Sequence, residues 1–354
     1  MAAIAVDAMG GDAAPGPIVE GAIAAARHLA SELRLVGPAA IIAQELARDA
    51  DAARLRLTVV DAPDVVGMDE PPAAALRRKP RASIRLAVQE VADGRATAVV
   101  SAGSTGATVM AAYAGLGLLP GVDRPALAAT IPTRLHPAVL LDAGANAECR
   151  PAHLVQFAVM GSVFTQVALG IEHPRVGLLS IGEEASKGND LTREAHRLLR
   201  EAPVRFVGNI EARDVYAGTA DVVVCDGFTG NVALKISEGL VDMVETLLGA
   251  ELTSTFSTRV GYLLSLRAFR RFRRRVDYSE YGGALLVGVR GVVVVGHGRS
   301  SAKAVRNAIA LADRFSRERH VDRLAAGIAA LPASGYGGGA SAPRSQASTP
   351  GLSS

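Results

Sequence analysis

Three loops rich in glycine and hydroxyl side chains supply the groups in this sequence that suit anion binding. Residues 99–106 and 223–230 share the pattern Val-Val-x-x-Gly-x-Thr-Gly, and residues 296–301 form a third loop, which contains His297. Each of the first two loops lies between a short apolar run and a helical apolar spacing. Backbone N–H groups at a helix start are unpaired and attract anions. The candidate binding residues of these two loops are Ser101, Gly103, Ser104, Thr105, Gly106, Gly227, Thr229 and Gly230.

Acidic and amide residues follow other apolar runs, at positions where strands are predicted to end. Asp7 precedes Gly10 and Gly11, and Asp142 precedes Asn146. The first group forms either the edge of a site or an ordinary turn, and the second ends another predicted strand. Strand-end aspartates hold a divalent cation or orient backbone N–H groups, and both roles are open for Asp12, Asp142 and Asp226.

One predicted strand end differs from the others because its loop is long and carries a cation. Lys187 lies in this loop with Asn189 close behind it, and Asn209 follows the next predicted strand. No Walker A, GxSxG, HExxH or GxGxxG pattern occurs in a convincing context, and no Ser-His-Asp order supports covalent catalysis. Amides, hydroxyls, glycine N–H groups and one or two cations instead suit the binding of an anionic nucleophile and the stabilisation of an oxyanion.

Alternating strand and helix patterns predict the elements that position these loops. Runs of β-branched residues at 222–225 and 292–295 indicate buried strands, and helical spacings such as those at 83–92 and 107–116 lie between the predicted strands. This alternation predicts an α/β fold with a mostly parallel sheet and helices on both faces. Because parallel strands end at the same edge of a sheet, we expect the glycine loops to meet there in an anion-binding crevice.

The composition is that of a chain with a large hydrophobic core. Of its 354 residues, 49% are hydrophobic, which fits one large domain or two small ones. No apolar run approaches the roughly 18 residues of a membrane span, and the N-terminal residues lack the basic region of a signal peptide. Cys149 and Cys225 form no CxxC pair, so we expect buried thiols in a reducing cytoplasm. We predict a domain over residues 1–331 and a disordered tail over 332–354.

The basic charge of the chain is concentrated in one segment. Between Leu252 and Val276 there are seven arginines and no acidic residue, and the other 31 basic residues are outnumbered by 35 acidic ones. No nucleic-acid-binding module accompanies the segment, so nucleic acid is not an expected partner. Apolar residues at helical spacing predict a basic amphipathic helix or helical hairpin at about residues 240–280. Its candidate contacts with a membrane or with a neighbouring subunit include Leu263, Leu266, Phe269, Arg270, Arg271 and Arg274.

Several motifs together resemble the bacterial phosphate acyltransferases of phospholipid synthesis. The resemblance runs in order from Ile4 to about Ala312, and only the tail lies outside it. It is carried by residues 6–12, 101–106, 141–146, 187–189, 208–213, 226–235 and 281–284. Two positions depart from the family pattern, since Ser104 stands where the family usually has Asn and Ala13 where it has His. A serine still donates one hydrogen bond, whereas Ala13 leaves no histidine beside Asp12.

The resemblance implies an enzyme that forms acyl-phosphate from long-chain acyl-acyl-carrier protein and inorganic phosphate, without a metal or an organic cofactor. It also implies a fold similar to isocitrate dehydrogenase and phosphotransacetylase. The expected protein is a cytoplasmic homodimer that associates with the anionic inner face of the membrane and supplies a membrane-bound glycerol-3-phosphate acyltransferase. The acidic carrier protein becomes a further candidate partner for the arginine segment.

Phosphate is already an anionic nucleophile at neutral pH, so the implied reaction needs no activated serine or cysteine. We expect glycine-loop N–H groups and polar side chains to stabilise the oxyanion that forms when phosphate attacks the thioester carbonyl. Gly227 and Gly230 would let the backbone approach the phosphate, and a positive φ is open to either. The polar side chains assigned to the site are Lys187, Asn189, Asn209 and Asn231, with Asp226 organising them.

Two alternative functions remain open to the sequence. A short-chain phosphotransacetylase would use acyl-coenzyme A instead of the carrier protein, and the two enzymes would differ in acceptor preference. A non-enzymatic protein that binds the membrane surface would use only the arginine helix, and it would leave the glycine loops unexplained.

Overall fold

The strands of the protein pair into a single sheet. The computed structural model describes residues 3–276 and 281–331, so the predicted tail lies outside the described residues. Within them the strands are β1 (Ala3–Asp7), β2 (Glu32–Gly37), β3 (Leu57–Asp61), β4 (Ala98–Ser101), β5 (Ala126–Ile131), β6 (Ala138–Leu141), β7 (Arg175–Leu179), β8 (Arg205–Ile210), β9 (Val222–Val224), β10 (Ala284–Val287) and β11 (Val292–Val295). Their order across the sheet is β3-β2-β1-β4-β11-β10-β5-β6-β9-β7-β8. The predicted α/β class with a mostly parallel sheet is confirmed.

Helices connect most of the strands, and a short 3-10 helix spans Ala52–Arg54. The α-helices are α1 (Gly16–Ala26), α2 (Ala39–Leu46), α3 (Pro72–Arg78), α4 (Ser83–Ala92), α5 (Thr105–Leu116), α6 (Pro151–Leu169), α7 (Asp190–Leu199), α8 (Gly227–Thr253), α9 (Phe256–Val276), α10 (Ala302–Arg317) and α11 (His320–Ala329). Alternate residues of β1 pack into two separate hydrophobic clusters, as they do when both faces of a sheet are covered. The helix predicted over residues 83–92 coincides with α4.

Helix α6 packs in the larger of these clusters. Phe157, Met160 and Phe164 of α6 are fully buried there. Among the described residues α6 is the helix long and apolar enough to cross a membrane, contrary to the sequence expectation, yet 72% of that span is buried inside the protein. Such burial is the pattern of a core helix.

The sheet contains two parallel sets of strands that run in opposite directions. β3, β2, β1, β4 and β11 are parallel to one another, as are β6, β9, β7 and β8. Between the sets, β10 and β5 are each antiparallel to both of their neighbours. The expectation of one shared carboxyl edge is therefore wrong, because the sequence pattern did not reveal these two reversing strands.

The two sets are nevertheless staggered so that their carboxyl ends lie at nearly the same height. The last residue of β11, Val295, pairs with Ala284 of β10, which pairs with Ala129 of β5. Ala129 in turn pairs with Leu140, one residue before β6 ends. The loops that leave the two sets consequently converge on the middle of the sheet from opposite directions.

Candidate active site

A cleft of about 1030 Å³ lies where the two sets of strands meet. Loops from both sets line it, and the first turns of α8 form one of its walls. Of the residues predicted for the site, the cleft brings together Gly103, Thr105, Asn231, His297 and Arg270. Asp12, for which the sequence left two roles open, also lines the cleft. Polar and charged side chains that the prediction did not assign include Lys235, Glu238, Arg299 and Lys303. Apolar side chains on the same surface include Leu127, Ala129, Leu234, Val241 and Val295.

The loop after β4 is held in place by a buried carboxylate. Ser101 Oγ donates to Asp7 Oδ2 at 2.7 Å, and Ser101 Oγ in turn accepts from Gly103 N–H at 3.1 Å. A Cβ atom at Gly10 would lie 2.6 Å from the Gly103 nitrogen, so the loops after β1 and β4 are in close contact. Burial raises the pKa of the Asp7 carboxyl, against the opposing effect of hydrogen bonds from Ser83 and Ser101. Asp7 therefore acts on the cleft through Ser101 and Gly103.

The loop after β6 is held by a second buried carboxylate with more donors. Asp142 Oδ1 accepts from the backbone N–H groups of Leu127, Gly144 and Ala145 at 2.9–3.1 Å. Its other oxygen accepts from both the backbone and the side-chain nitrogen of Asn146, at 2.7 and 2.8 Å. Burial raises the pKa of the Asp142 carboxyl, and these N–H donors oppose that shift. Both Asp142 and Asn146 thus form the support beneath the cleft.

The first turn of α8 contains two glycines, and the backbone of both packs closely against this support. Gly227 N–H donates to the Asn146 carbonyl at 2.7 Å, and a Cβ atom there would lie 2.7 Å from Asp142 Oδ2. A Cβ atom at Gly230 would collide with the carbonyl oxygen of Asp142. Neither glycine has the positive φ that the sequence left open, since each has the helical backbone of α8. These glycines permit close packing within the chain.

Asp226 is the N-cap residue of α8. Its carboxylate accepts from Thr229 N–H at 2.9 Å and from the Thr229 hydroxyl at 2.8 Å. Asn231 follows in the second turn, where its Cβ atom lies 3.4 Å from the position of a Cβ at Gly144. Its side chain contributes to the cleft.

A lysine, a histidine and a glutamate meet on the wall formed by α8. Lys235 Nζ lies 2.8 Å from Glu238 Oε2 and 3.2 Å from His297 Nε2. His297 Nδ1 accepts from the backbone N–H of Arg299 at 3.1 Å. Partial desolvation and the Lys235 ammonium lower the pKa of His297, which keeps its imidazole neutral at pH 7. Lys235 lies one helical turn after Asn231, a spacing that could have identified it from the sequence.

The remaining residues of the first glycine loop have different surroundings. Ser104 is the N-cap residue of α5, but its side chain makes no capping hydrogen bond. A Cβ atom at Gly106 would lie 2.9 Å from Pro72 Cγ of α3, so this glycine packs against a helix. Gly11 has a φ of +126°, and a Cβ atom there would lie 3.1 Å from the Gly298 carbonyl oxygen.

Lys187, Asn189 and Asn209 lie in a separate group beyond β9, and within the described residues they do not line the cleft. Lys187 is exposed in the loop after β7. Asn189 caps α7 by accepting from Thr192 N–H at 2.9 Å. Buried Asn209 donates to the Glu184 carbonyl at 2.9 Å and so holds the Lys187 loop. Their catalytic role stays a prediction.

Helix α8 has two opposite faces, one towards the cleft and one towards solvent. Its solvent face carries exposed apolar side chains at helical spacing, namely Val232, Ile236, Leu240, Met243 and Leu247. On α9, Leu263 is 68% exposed, whereas Leu266 and Phe269 are half-buried. Arg270 and Arg271 are exposed, and the side chain of Arg274 lies outside what the structure describes.

The thiols and carboxylates of the described residues form neither a nucleophile nor a metal centre. Burial raises the pKa of Cys149 to about 12 and the pKa of Cys225 well above its ordinary value. Within residues 3–276 and 281–331, no group of three or more His, Cys, Asp or Glu side chains could hold a metal ion. Asp142 and Asp226 instead orient backbone N–H groups, one of the two roles left open by the sequence.

A family model and individual relatives both match nearly the whole chain. Residues 2–323 match the model of a family described as fatty acid synthesis protein. The chain is 50% identical over 322 residues to the phosphate acyltransferase of Citrifermentans bemidjiense, covering 91% of each chain. It is 52% identical over 325 residues to the phosphate acyltransferase of Desulforudis audaxviator, covering 92% of this chain and 96% of that one.

Solved structures with a similar fold come from enzymes of low sequence identity. A phosphotransacetylase from Streptococcus pyogenes matches with a TM-score of 0.59 at 19% identity, covering 90% of this chain and 94% of that one. A branched-chain phosphotransacylase from Enterococcus faecalis matches with a TM-score of 0.52 at 17% identity, covering 89% and 99%. At these identities the likeness shows the fold alone, and it confirms the expected phosphotransacetylase-like architecture.

Proposed function

The chain belongs to the phosphate acyltransferase family, and from that premise we propose that it transfers the acyl group of acyl-acyl-carrier protein to inorganic phosphate. Its product is then an acyl-phosphate for phospholipid synthesis. The relatives that are 50% and 52% identical over nearly the whole chain carry the name phosphate acyltransferase. The phosphotransacetylases share only the fold, so a short-chain phosphotransacetylase is not favoured.

The observation that carries the proposal is the mixed character of the cleft. One part presents Lys235, Arg299 and the first turn of α5, which attract an anion. Another part presents Leu127, Leu234 and neighbouring apolar side chains, which suit a hydrocarbon chain. A phosphate acyltransferase has to bring an anionic nucleophile and an apolar acyl thioester to the same place, and this cleft offers both surfaces.

The chemical step needs little from the protein beyond positioning and charge stabilisation. An oxygen of hydrogen phosphate attacks the thioester carbonyl carbon, which forms a C–O bond and places negative charge on the carbonyl oxygen. Collapse of this intermediate breaks the C–S bond, and the carrier thiolate leaves with the electron pair. The proton of hydrogen phosphate ends on that thiol. Asn231, which lines the cleft, is the donor that we assign to the oxyanion.

The test is phosphate-dependent release of the carrier thiol by the purified protein. We expect thiol release and stoichiometric acyl-phosphate with long-chain acyl-carrier protein, and much slower reaction with acetyl-coenzyme A. A preference for acetyl-coenzyme A would favour the short-chain enzyme. The absence of acyl-phosphate with either donor would overturn the enzymatic proposal.

The exposed apolar face of α8 supports a homodimer as the proposed assembly. Ile236, Leu240 and Leu247 recur at one-turn or two-turn spacing on the side opposite the cleft. A continuous apolar face of this length is unfavourable in water, and a second copy with the same face would cover it. Replacing Leu240 and Leu247 by Glu should convert the dimer to a monomer in analytical ultracentrifugation. Unchanged mass would refute this interface.

Helix α9 supports a second proposed contact, with an anionic membrane surface. Leu263 and Leu264 are exposed, and exposed arginines lie on the same helix. Membrane binding uses both the apolar side chains and the charge, whereas docking of an acidic carrier protein uses mainly the charge. Leu263→Glu with Leu264→Glu should abolish sedimentation with anionic liposomes while activity on soluble acyl-carrier protein persists. Lost activity with retained liposome binding would assign α9 to the carrier protein or the dimer.

A further inference from the structure

The contacts of His297 contain a conflict between hydrogen-bond donors. A neutral imidazole has one N–H and one acceptor nitrogen. Donors approach both ring nitrogens of His297, the Arg299 N–H at Nδ1 and the Lys235 ammonium at Nε2, at 3.1 and 3.2 Å. In either tautomer, therefore, one of these contacts sets a donor against a donor. Protonation of the ring would set donors against both.

Backbone hydrogen bonds around His297 determine which of its ring nitrogens carries the proton and therefore faces another donor. Ser300 N–H donates to the His297 carbonyl at 2.9 Å, and Asp12 N–H donates to the Gly298 carbonyl at 2.8 Å. These bonds fix the loop that aims the Arg299 N–H at Nδ1. Lys235 is held by its side chain alone, through Glu238. The favoured tautomer has its proton on Nε2, so this N–H and the Lys235 ammonium face each other across 3.2 Å.

We propose that Lys235 and His297 together bind phosphate, with a phosphate oxygen accepting from both Lys235 Nζ and His297 Nε2–H. This assignment rests on the proposed function and names the groups that hold its nucleophile. An anionic oxygen between the two donors removes their conflict and gains two hydrogen bonds, one of them charge-assisted. Lys235 then becomes a catalytic residue, because it touches the reacting phosphate.

The charges around the pair favour an anion of this size. Arg299 adds a second cation, while Glu238 from α8 and Asp12 from the loop after β1 are the acidic groups that face His297. Glu238 is already bonded to Lys235, which orients the ammonium. The first turn of α5 lies on the same cleft at Thr105, and α5 has no capping side chain. Phosphate therefore has donors on both sides of the cleft.

The first test separates the Michaelis constants of the two substrates. Lys235→Met and His297→Leu should each raise the KM for phosphate by about 10-fold or more, the scale of one lost hydrogen bond to a charged group. The KM for acyl-carrier protein should change by less than about 2-fold, because the acyl group lies on the apolar surface. His297→Gln keeps an N–H donor and should lie between wild type and His297→Leu. His28→Leu, at an exposed histidine near the end of α1, is the matched control and should behave as wild type.

Unchanged KM for phosphate in both variants, or a rise only in the KM for the carrier protein, would overturn the assignment. Calorimetric titration with inorganic phosphate alone distinguishes this failure from failure of the proposed function. Wild type that binds phosphate more tightly than Lys235→Met supports the pair even without acyl transfer. Equal binding by both proteins refutes it. Long-range proton–nitrogen correlations of nitrogen-15-labelled histidine give a further readout, and a proton found on Nδ1 of His297 would contradict the argument.

Discussion

The two loops that share the pattern Val-Val-x-x-Gly-x-Thr-Gly begin helices whose first turns differ in chemistry. α5 begins on the cleft at Thr105, and Ser104 gives it no side-chain cap. α8 begins with the carboxylate of Asp226 already bonded to Thr229 N–H. A carboxylate at a helix N-terminus repels a second anion and occupies the donors that would bind it. The first loop is thus open to phosphate, and the second is filled by its own chain.

The difference shows that one sequence pattern serves two structural purposes. In the second loop the glycines let α8 pack onto the loop of Asp142, and the helix then contributes Asn231 and Lys235 to the cleft from later positions. In the first loop the backbone itself lies at the cleft. Five substitutions, grouped in four experiments, test these roles in decreasing order of expected effect.

The largest effect is expected for Gly230→Ala compared with Gly106→Ala at the equivalent position of the first loop. A methyl group at Gly230 would collide with the backbone carbonyl of Asp142, which cannot move without the buried loop. At Gly106 the nearest atom is Pro72 Cγ at the end of a side chain. We expect Gly230→Ala to lower the free energy of unfolding by about 4 kcal/mol or more, and Gly106→Ala by about 1 kcal/mol. Denaturant unfolding measures both, and similar losses would remove the contrast.

Asp142→Asn should have the next largest effect. The amide of asparagine replaces one acceptor oxygen by an NH2 donor. This donor would face either the N–H groups of Asn146 or the backbone N–H groups of Leu127, Gly144 and Ala145. Leaving buried donors unpaired should lower the free energy of unfolding by about 3 kcal/mol. Denaturant unfolding with circular dichroism gives the value. A loss below about 1 kcal/mol would mean that the loop does not depend on this carboxylate.

Lys187→Ala tests whether the loop after β7 belongs to the site at all. The sequence assigns Lys187 to the oxyanion, and the structure places it exposed in the loop after β7, where it does not line the cleft. If the assignment holds, kcat should fall about 10²-fold, the scale of one oxyanion donor. The KM for phosphate should stay near the wild-type value, unlike that of Lys235→Met. Normal kcat with an intact fold would leave catalysis to the cleft residues alone.

Asp7→Asn should have the smallest effect and a distinct pH dependence. The amide oxygen can still accept from Ser101, so we expect a change of about 1 kcal/mol or less in the free energy of unfolding at pH 7. Burial raises the folded pKa of Asp7, so the wild type loses stability as the pH rises from the unfolded pKa of about 3.9 through the folded pKa. The variant lacks this loss. As the pH rises from about 4 to about 8, the difference in free energy of unfolding between the two proteins should therefore shift in favour of Asp7→Asn. A difference that stays constant with pH would contradict a raised pKa.

Local patterns in the sequence were sufficient for many individual elements. The apolar spacing over residues 83–92 predicts α4 to the residue, and Pro151 begins α6 as expected, since proline suits the first turn of a helix. The β-branched run at 292–295 becomes β11. Strand-end aspartates and glycines also marked Asp7, Asp142 and Gly103 as residues near the site. Such signals are readable because each depends on a few consecutive side chains.

The sequence alone determined the family resemblance, the α/β class and the residue types of the site, whereas the tertiary structure decided which of those residues meet. The Ala-rich strand β5 and strand β10 were not predicted, and they reverse the direction of half the sheet. Strand direction and stagger depend on pairing between distant segments, such as Ala129 with Ala284, which no local pattern records. That stagger brings the third turn of α8 to the loop that follows β11. It thereby joins Lys235 to His297, and it leaves Lys187 with a different group.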